Sequence, residues 1–166
     1  MRLFIAVLFS EEVKKALLGT LHDLKQAGAG GNYTPAQNLH MTLAFIGETR
    51  QTEDVKAALK AVKVSPFRLS LTDLGTFGDL LYAGVKGNQG LKGAAREVRA
   101  RLDEAGIPYD KKEFRPHITL IRKLTGHVPK GFAPKKAEML VEKISLMKSE
   151  NKNGRMVYTE ICSVGK

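Results

Sequence analysis

The sequence contains the same short pattern twice: a histidine, an apolar residue, a threonine and a leucine. It reads HMTL from residue 40 and HITL from residue 117. With four His and ten Thr among 166 residues, chance predicts about a quarter of one His-x-Thr match. Two matches with the same neighbours therefore indicate a duplicated site.

An imidazole and a hydroxyl in each copy suggest acid–base chemistry at a phosphate. Because imidazole titrates near pH 6.5, one histidine can hold a proton while the other lacks it. In an in-line displacement at phosphorus, one would take a proton from the attacking oxygen and the other would protonate the leaving oxygen. The hydroxyls would hydrogen-bond the non-bridging oxygens. The alternative is a pair of structural histidines with satisfied hydrogen bonds.

This chemistry needs no Lewis acid, because the two imidazoles supply both proton transfers. A zinc site usually groups its ligands more closely and includes Cys, Asp or Glu, which neither motif supplies. We therefore predict neither a metal nor a cofactor.

Strand periodicity predicts how each motif is held. Side chains at i and i+2 leave a strand on the same face, so a strand over 39–46 puts His40 and Thr42 on one face. Its apolar residues, Phe45 included, would then point the other way and anchor the strand to the core. The second copy repeats this arrangement on a predicted strand over 116–122.

The rest of the chain alternates short helices and strands, with no linker long enough to separate domains. Helices are predicted at 10–26, 52–62 and 90–105. Further strands are predicted at 2–9, 67–74, 80–86, 138–148 and 155–163. The glycines at 28, 30 and 31 indicate a flexible turn, and the GTFGD run at 75–79 indicates a hairpin connection.

The balance of charge favours a polyanionic partner. The formal net charge is +10 with a pI near 9.8, which raises the local concentration of nucleic acid or anionic phosphates. The alternative is a basic surface that serves solubility alone. Nothing in the sequence requires a protein partner or more than a monomer.

The expected location is the cytoplasm. Cys162 is the single cysteine, so it cannot form an internal disulfide, and we expect a small core residue on a late strand. The apolar run after Arg2 leads at once into Ser10 and two glutamates, which predicts a strand followed by a helix and not a secretory signal. No stretch is long enough to span a membrane.

Two arginines flank the second motif. Counting the strand period from His117, Arg115 falls on the same face, whereas Arg122 falls on the other and reaches the site only if the strand twists or ends nearby. Either guanidinium could clamp a phosphate through its fork of donors. Surface charge is the alternative for both, and Pro116 makes the start of the strand irregular.

These features together resemble the 2H phosphoesterase superfamily, named for two His-x-Thr/Ser motifs. Within it, the sequence is most similar to the bacterial and archaeal RNA 2',3'-cyclic phosphodiesterases, historically called 2'-5' RNA ligases. The resemblance runs nearly from end to end of the chain. It rests on the segments RLFIAV, NLHMTLAFIGET, LGTFG, RPHITLIRK, and ISLMKSE followed by VYTEI. The resemblance implies an α+β fold: one bilobal domain over 1–166, with two pseudo-symmetric lobes of antiparallel sheet, outer helices and a basic central cleft that carries both motifs.

The resemblance also implies an activity and a set of roles. The expected reaction is metal-independent hydrolysis of RNA 2',3'-cyclic phosphate ends to 2'-phosphate, with reversible 2'-5' RNA ligation as its counterpart. His40 would be the general acid that protonates the departing 3'-oxygen, and His117 the general base that activates water. Thr42 and Thr119 complete the catalytic set.

The family pattern bears on substrate binding too. Its arginine after the second motif matches Arg122, which favours Arg122 over Arg115 as the phosphate ligand. Many relatives carry Trp shortly before the first motif, whereas this chain has no Trp and has Tyr33 in that neighbourhood. Tyr33 would stack on a base, unless it has a core or turn role.

Two other functions stay open at this point. One is a cyclic phosphodiesterase that acts on small nucleotides with the same four residues. The other is a non-catalytic RNA-binding module, in which the His-Thr pairs only grip phosphate. The remaining histidines, His22 and His127, match no pattern and are predicted to be ordinary surface residues.

Overall fold

The computed structural model describes the backbone of residues 1–166 and every side chain except that of Asn88. Its α-helices are α1 (Glu11–Gln26), α2 (Thr52–Lys60) and α3 (Asn88–Glu104), with one 3-10 turn at Ala36–Asn38. Its strands are β1 (Arg2–Val7), β2 (Gly30–Tyr33), β3 (Met41–Glu48), β4 (Phe67–Phe77), β5 (Leu80–Lys86), β6 (Ile118–Thr125), β7 (Glu138–Val141), β8 (Lys143–Lys152) and β9 (Arg155–Gly165).

The strands form two antiparallel sheets, which confirms the predicted α+β class. The first sheet has the order β3-β1-β8-β9, and the second has the order β2-β6-β5-β4-β7. The motif strand of each sheet, β3 or β6, is followed by three further strands in one direction, so the two sheets repeat one arrangement. Strands β4 and β5 form the predicted hairpin, which turns at Gly78 and Asp79.

One hydrophobic core joins the two sheets and the helices. It contains buried leucines from α1, α2, α3, β3 and β6: Leu17, Leu59, Leu102, Leu43 and Leu120. Helix α3 contacts both β3 of the first sheet and β4 of the second, and α1 packs on β7. Because the motif strands are backed by this shared core, the two motifs are held in a fixed relation to each other.

Helix α1 begins and ends as its sequence predicts. The Ser10 hydroxyl accepts a hydrogen bond of 3.2 Å from the backbone N–H of Val13, and two glutamates occupy the first turn near the positive end of the helix dipole. Beyond the last turn, Gly28 has φ +94°, a left-handed conformation that ends the helix at little cost.

The predicted strand over 138–148 is wrong, because it is two strands that belong to different sheets. Strand β7 pairs with β4 in the second sheet, whereas β8 pairs with β1 and β9 in the first. The chain crosses from one sheet to the other at Glu142. The apolar pattern continues across this crossing, so periodicity alone could not reveal it.

The glycine-rich stretch predicted as a flexible turn is also wrong in part, because it includes β2, which pairs with β6. Gly31 has φ +125°, in a region that other residues rarely adopt. A Cβ atom at Gly31 would lie 2.7 to 2.8 Å from atoms of Ile121, Arg122 and Lys123. Glycine therefore allows β2 to lie close against the strand that carries the second motif.

Candidate active site

The two motif histidines are held in the same way. Each lies one residue before its strand, His40 before β3 and His117 before β6. The Nδ1 atom of His40 lies 2.7 Å from the carbonyl oxygen of Asn38, and that of His117 lies 2.8 Å from the carbonyl oxygen of Arg115. Because a carbonyl can only accept, Nδ1 carries the hydrogen in both rings. The Nε2 atom of each ring is therefore the one left to exchange a proton.

The threonines of the two motifs differ in their internal hydrogen bonds. The Thr42 hydroxyl lies 3.0 Å from Nε2 of His40. Among the described side chains, no corresponding bond joins Thr119 to the second histidine. The carbonyl of Thr119 instead accepts a hydrogen bond of 3.0 Å from the hydroxyl of Thr34. In the first copy, the threonine hydroxyl is therefore within hydrogen-bonding distance of the histidine ring. In the second copy, the threonine hydroxyl makes no hydrogen bond to the ring.

A β-bulge follows each motif threonine. In β3 the register against β1 skips Leu43, and in β6 the register against β5 skips Leu120. A bulge places one extra residue in the strand, so the residues after it reverse their facing. Consequently Phe45 and Arg122, each three positions after its threonine, come to the same face as the motif histidines.

This bulge corrects two predictions from strand periodicity. Phe45 is not a core residue: 39% of it is exposed, and its register partner is Phe4, whose ring lies against His40. Arg122 likewise does not need a twist or an early strand end to reach the motif face. The predicted alternation of side chains between the two faces would have held only if Leu43 and Leu120 each had a register partner on the neighbouring strand.

The two candidate arginines have different surroundings. Arg122 is exposed and takes part in none of the ion pairs found among the described residues. Arg115 lies before the start of β6 and makes an ion pair of 3.7 Å with Glu113. Both are near the motifs, since Arg122 lies three residues after Thr119 in β6 and Arg115 lines the cleft beside His117. Only Arg122 is both on the motif face and without a competing carboxylate.

The ring of His40 lies against two aromatic side chains that were not predicted as site residues. The centroid of Phe4 is 4.9 Å away and that of Tyr158, in an edge-on arrangement, is 5.2 Å away. Phe4 and Tyr158 also contact each other edge-on at 5.0 Å. These contacts fix the plane of the imidazole from the sides that its hydrogen bonds leave free.

The ring of His117 is held by a second pair of the same composition. Phe77 and Tyr82 lie 5.1 and 5.7 Å from it, both edge-on, and 4.5 Å from each other. Phe77 and Tyr158 fall within the strings GTFG and VYTEI that carry the family likeness, which was the available signal for them. Neither string alone indicated a contact with an imidazole, because the contacts cross between strands.

The electrostatic environment of His40 favours its neutral form. Burial lowers the pKa of this imidazole, and the nearby positive charges of Arg122 and His117 lower it further, while the hydrogen bond to the Asn38 carbonyl acts in the opposite direction. In the free protein, His40 therefore gives up its proton at a lower pH than an ordinary histidine does. The two motifs lie close together, since Thr42 of the first and His117 of the second line one cleft.

A cleft of about 650 Å³ opens between the motif strands, which contact each other. Thr42 and Phe45 line it from β3, and His117 lines it from the other copy, together with Phe77. Such a volume is within the range of about 300–1,000 Å³ usual for small-molecule sites. No group of three or more His, Cys, Asp or Glu that could hold a metal ion is present in the described part of the chain.

Comparison with known proteins identifies the family. A model of the 2'-5' RNA ligase superfamily matches residues 11–153. The chain belongs to this superfamily.

Members of the superfamily resemble the chain in both sequence and fold. A relative from Thermus thermophilus, named RNA 2',3'-cyclic phosphodiesterase, is 33% identical over 96% of this chain and 87% of its own length. One of the same name from Geobacillus stearothermophilus is 32% identical over 76% of this chain, but the chain spans only 43% of that relative. The crystal structure of E. coli LigT complexed with 3'-AMP matches with a TM-score of 0.82 and 25% identity, over 99% of this chain and 96% of that one.

One residue that the superfamily resemblance singled out for substrate binding lies elsewhere. Tyr33 is half-buried against the core, and its hydroxyl donates a hydrogen bond of 2.5 Å to the carbonyl of Ala29. In β2 it pairs with the buried Ile121, on the face opposite to the motifs. Its placement supports the core role, which was the alternative to stacking on a base.

The remaining sequence predictions concern residues away from the superfamily motifs. His22 and His127 are both exposed, as predicted. Cys162 is half-buried on β9 against the core. No described helix combines the length and the apolar character that crossing a membrane requires.

Proposed function

We propose that this chain is an RNA 2',3'-cyclic phosphodiesterase that forms 2'-phosphate ends by paired histidine catalysis. The single observation that carries the proposal is the matched tethering of His40 and His117, whose Nδ1 atoms both bond a backbone carbonyl two residues earlier. This leaves two Nε2 atoms for two proton transfers. The names of the relatives and the net charge of +10 support RNA as the substrate.

In the proposed reaction, Nε2 of His117 removes a proton from a water molecule as its oxygen attacks phosphorus. The bond from phosphorus to the 3'-oxygen breaks, and Nε2 of His40 delivers a proton to that oxygen. Thr42, Thr119 and Arg122 stabilise the negative charge on the non-bridging oxygens. The products are a 3'-hydroxyl and a 2'-phosphate. Because both proton transfers come from imidazoles, the mechanism needs no metal ion.

The role of His40 as the acid depends on substrate binding. In the free protein, burial and the charges of Arg122 and His117 lower the pKa of His40, which opposes the protonated form that an acid requires. An anionic phosphate between the two motifs offsets these positive charges and favours protonation of His40. We therefore infer that the acid is charged when the cyclic phosphate binds.

The experiment that tests the function is an incubation of chelator-treated protein with a short RNA that ends in 2',3'-cyclic phosphate, followed by identification of the new end. Wild type should form 2'-phosphate, while His40→Ala and His117→Ala should form almost none. A matched control is His127→Ala, which removes an exposed imidazole outside the motifs. RNA that binds without reacting would support the binding-module alternative, and turnover of small cyclic nucleotides alone would support the other.

A sulfur-substituted substrate distinguishes the acid from the base. If sulfur replaces the 3'-oxygen, the leaving thiolate needs no protonation, so the loss of the general acid should matter little. His40→Ala should then recover activity on the 3'-thio cyclic substrate, and His117→Ala should stay inactive. Recovery of His117→Ala instead would reverse the two roles.

The same site supports the reverse joining reaction. A 5'-hydroxyl of a second RNA could take the place of water, be deprotonated by His117 and form a 2'-5' linkage. Water is present at far higher concentration, so hydrolysis is the expected net reaction.

We also propose that residues 1–166 act as one bilobal domain and as a monomer. The cytoplasmic location stays a prediction, which rests on the single cysteine, Cys162.

A further inference from the structure

Asn38 is the residue whose backbone carbonyl holds the ring of His40. That carbonyl oxygen lies 2.7 Å from Nδ1 of His40, so the direction of the carbonyl determines where Nε2 of the ring points. In the second copy, the equivalent carbonyl belongs to Arg115. The two residues have different surroundings, because Asn38 is 4% exposed whereas Arg115 belongs to the exposed residues.

A proline restricts the carbonyl of the second copy but not that of the first. Pro116 follows Arg115, and a residue before proline is confined to extended backbone, which limits the direction of its carbonyl. Leu39 follows Asn38 and imposes no such limit. The first copy therefore needs another contact to fix the carbonyl that holds His40.

The side chain of Asn38 supplies such a contact. Its Nδ2 atom donates a hydrogen bond of 2.9 Å to the carbonyl of Met156 on β9. Reversal of the amide would place Oδ1 against that carbonyl, so the bond also fixes the orientation of the amide. The backbone N–H of Asn38 donates to the carbonyl of Pro35 at 2.9 Å, within the 3-10 turn. Both the backbone and the side chain of Asn38 are thus held.

Strand β9 contacts His40 as well. Tyr158 lies two residues after Met156 on this strand, and its ring is edge-on to His40 at 5.2 Å. The bond from Asn38 to Met156 therefore joins the turn that holds the imidazole to the strand that supplies one of its aromatic neighbours. Two contacts of His40 are linked through one amide.

The second polar atom of the same amide has no partner. Oδ1 of Asn38 is buried and accepts no hydrogen bond within the described part of the chain. A buried acceptor without a partner costs free energy. This cost offsets part of the stability that the bond to Met156 contributes, which favours a role for the bond beyond stability.

We propose that Asn38 is a positioning residue for His40: its amide fixes the carbonyl that keeps a hydrogen on Nδ1 and leaves Nε2 beside Thr42. Without the amide, the carbonyl is free to turn, and the neutral ring can carry its hydrogen on either nitrogen. The placement of the ring is independent of the reaction. Its effect on the rate rests on the proposed function, in which His40 gives a proton from Nε2.

The first measurement follows His40 by nitrogen NMR in the free protein. Asn38→Leu keeps about the volume of the side chain but has no donor, and Asn38→Ala is the second variant in case leucine disturbs the packing. The matched control is Thr20→Val, which also removes a buried bond between a side chain and the backbone. Thr20 is 2% exposed, and its hydroxyl accepts a hydrogen bond of 2.9 Å from the backbone N–H of Lys135, outside the cleft.

In wild type and Thr20→Val, neutral His40 should carry its hydrogen on Nδ1 alone. In both Asn38 variants, the nitrogen shifts should indicate a mixture of the two tautomers. Burial and the charges of Arg122 and His117 lower the pKa of His40 and stay in place, whereas the bond to the Asn38 carbonyl raises it and is weakened, so this pKa should fall further. A single Nδ1–H tautomer and an unchanged pKa in both variants would overturn the inference.

The second measurement is kcat and KM on the RNA 2',3'-cyclic phosphate and on its 3'-thio analogue. Asn38→Leu should lower kcat on the ordinary RNA about tenfold or more, as part of the factor of about 10²–10⁴ that general acid catalysis contributes, and should leave KM within about twofold. On the analogue, whose leaving thiolate needs no proton, this loss should largely disappear, as it should in His40→Ala. Thr20→Val should behave like wild type on both substrates.

The two measurements separate this inference from the proposed function. If wild type turns over neither RNA but the tautomer of His40 changes in the Asn38 variants, the function fails and the positioning role stands. If the Asn38 variants lose activity equally on both substrates while His40 keeps its tautomer, the side chain only supports the fold and the inference is overturned.

Discussion

Replacement of Arg122 by glutamine tests which arginine holds the phosphate. Arg122 shares the motif face because of the bulge at Leu120, and it makes no ion pair within the described part of the chain. Its guanidinium is therefore available to a ligand. Arg115 is exposed and paired with Glu113 at 3.7 Å, so its guanidinium already has a partner.

The expected magnitude follows from the loss of hydrogen bonds to a charged group. Such bonds contribute about 1.5–3 kcal/mol, and about 1.4 kcal/mol is a factor of ten. Arg122→Gln should therefore lower kcat/KM by about 10- to 150-fold. Arg115→Gln removes a guanidinium that is already paired with Glu113, so it should lower kcat/KM less than about fivefold, and loss of the exposed ion pair should cost about 0–1 kcal/mol of stability. Arg122→Lys keeps the charge but loses the fork, so its activity should lie between wild type and Arg122→Gln.

The assay is steady-state hydrolysis of the cyclic-phosphate RNA, together with thermal unfolding of each variant. Because Arg122 is exposed and has no internal ion-pair partner among the described residues, its replacement should change the free energy of unfolding by no more than about 0.5 kcal/mol. A loss of activity at unchanged stability then reports on the substrate. If Arg115→Gln were the more damaging variant, the reasoning from the bulge would be refuted.

Four further outcomes are expected. The pKa of His40, followed by NMR in the free protein, should rise in Arg122→Gln because a repelling charge is lost, and an unchanged pKa would contradict the closeness of the two groups. If His40 is the acid, kcat/KM of wild type should fall as the pH rises through the lowered pKa of His40, so the decline should begin below about pH 6.5. In Arg122→Gln the same decline should occur at higher pH. Thr42→Val should lower kcat about tenfold or more while Thr42→Ser retains most activity, since the hydroxyl 3.0 Å from the His40 ring is what matters. Gly31→Ala should lower the free energy of unfolding, measured in urea, by more than about 1 kcal/mol, because its Cβ would clash with β6. Its control is Gly93→Ala, which lies inside α3 with open space around it and should raise the free energy of unfolding by up to about 1 kcal/mol.

The sequence was most informative where the structure is local. The pairing of His40 with Thr42 depends only on two residues of one chain segment, and the alternation of side chains predicts it without knowledge of the fold. The start of α1 is local in the same sense, because Ser10 caps a helix that begins one residue later. The duplication itself could be predicted, since the two motifs repeat both the reactive residues and their apolar neighbours.

Features that depend on contacts between strands could not be predicted in this way. A bulge is a property of the ladder, and nothing distinguishes Leu43 or Leu120 from a paired strand residue. The facing of Phe45 and Arg122 was therefore wrong when it was taken from alternation alone. The aromatic pairs around the histidines have the same origin: Tyr158 comes from the far end of the chain, and only the sheet order brings it to His40.

In the proposed mechanism the duplicated backbone supports a reaction that is not symmetric, since one histidine would give a proton while the other would take one. Both motif copies have the hydrogen bond to a carbonyl, the bulge and the aromatic pair. None of these shared features can therefore determine which histidine is the acid and which is the base. The difference lies in side chains. Arg122 adds positive charge near His40, whereas the equivalent position in the first copy holds the uncharged Phe45. In the proposed mechanism, a phosphate that contacts Arg122 would bind in one orientation relative to the two histidines, and that orientation would give them different roles.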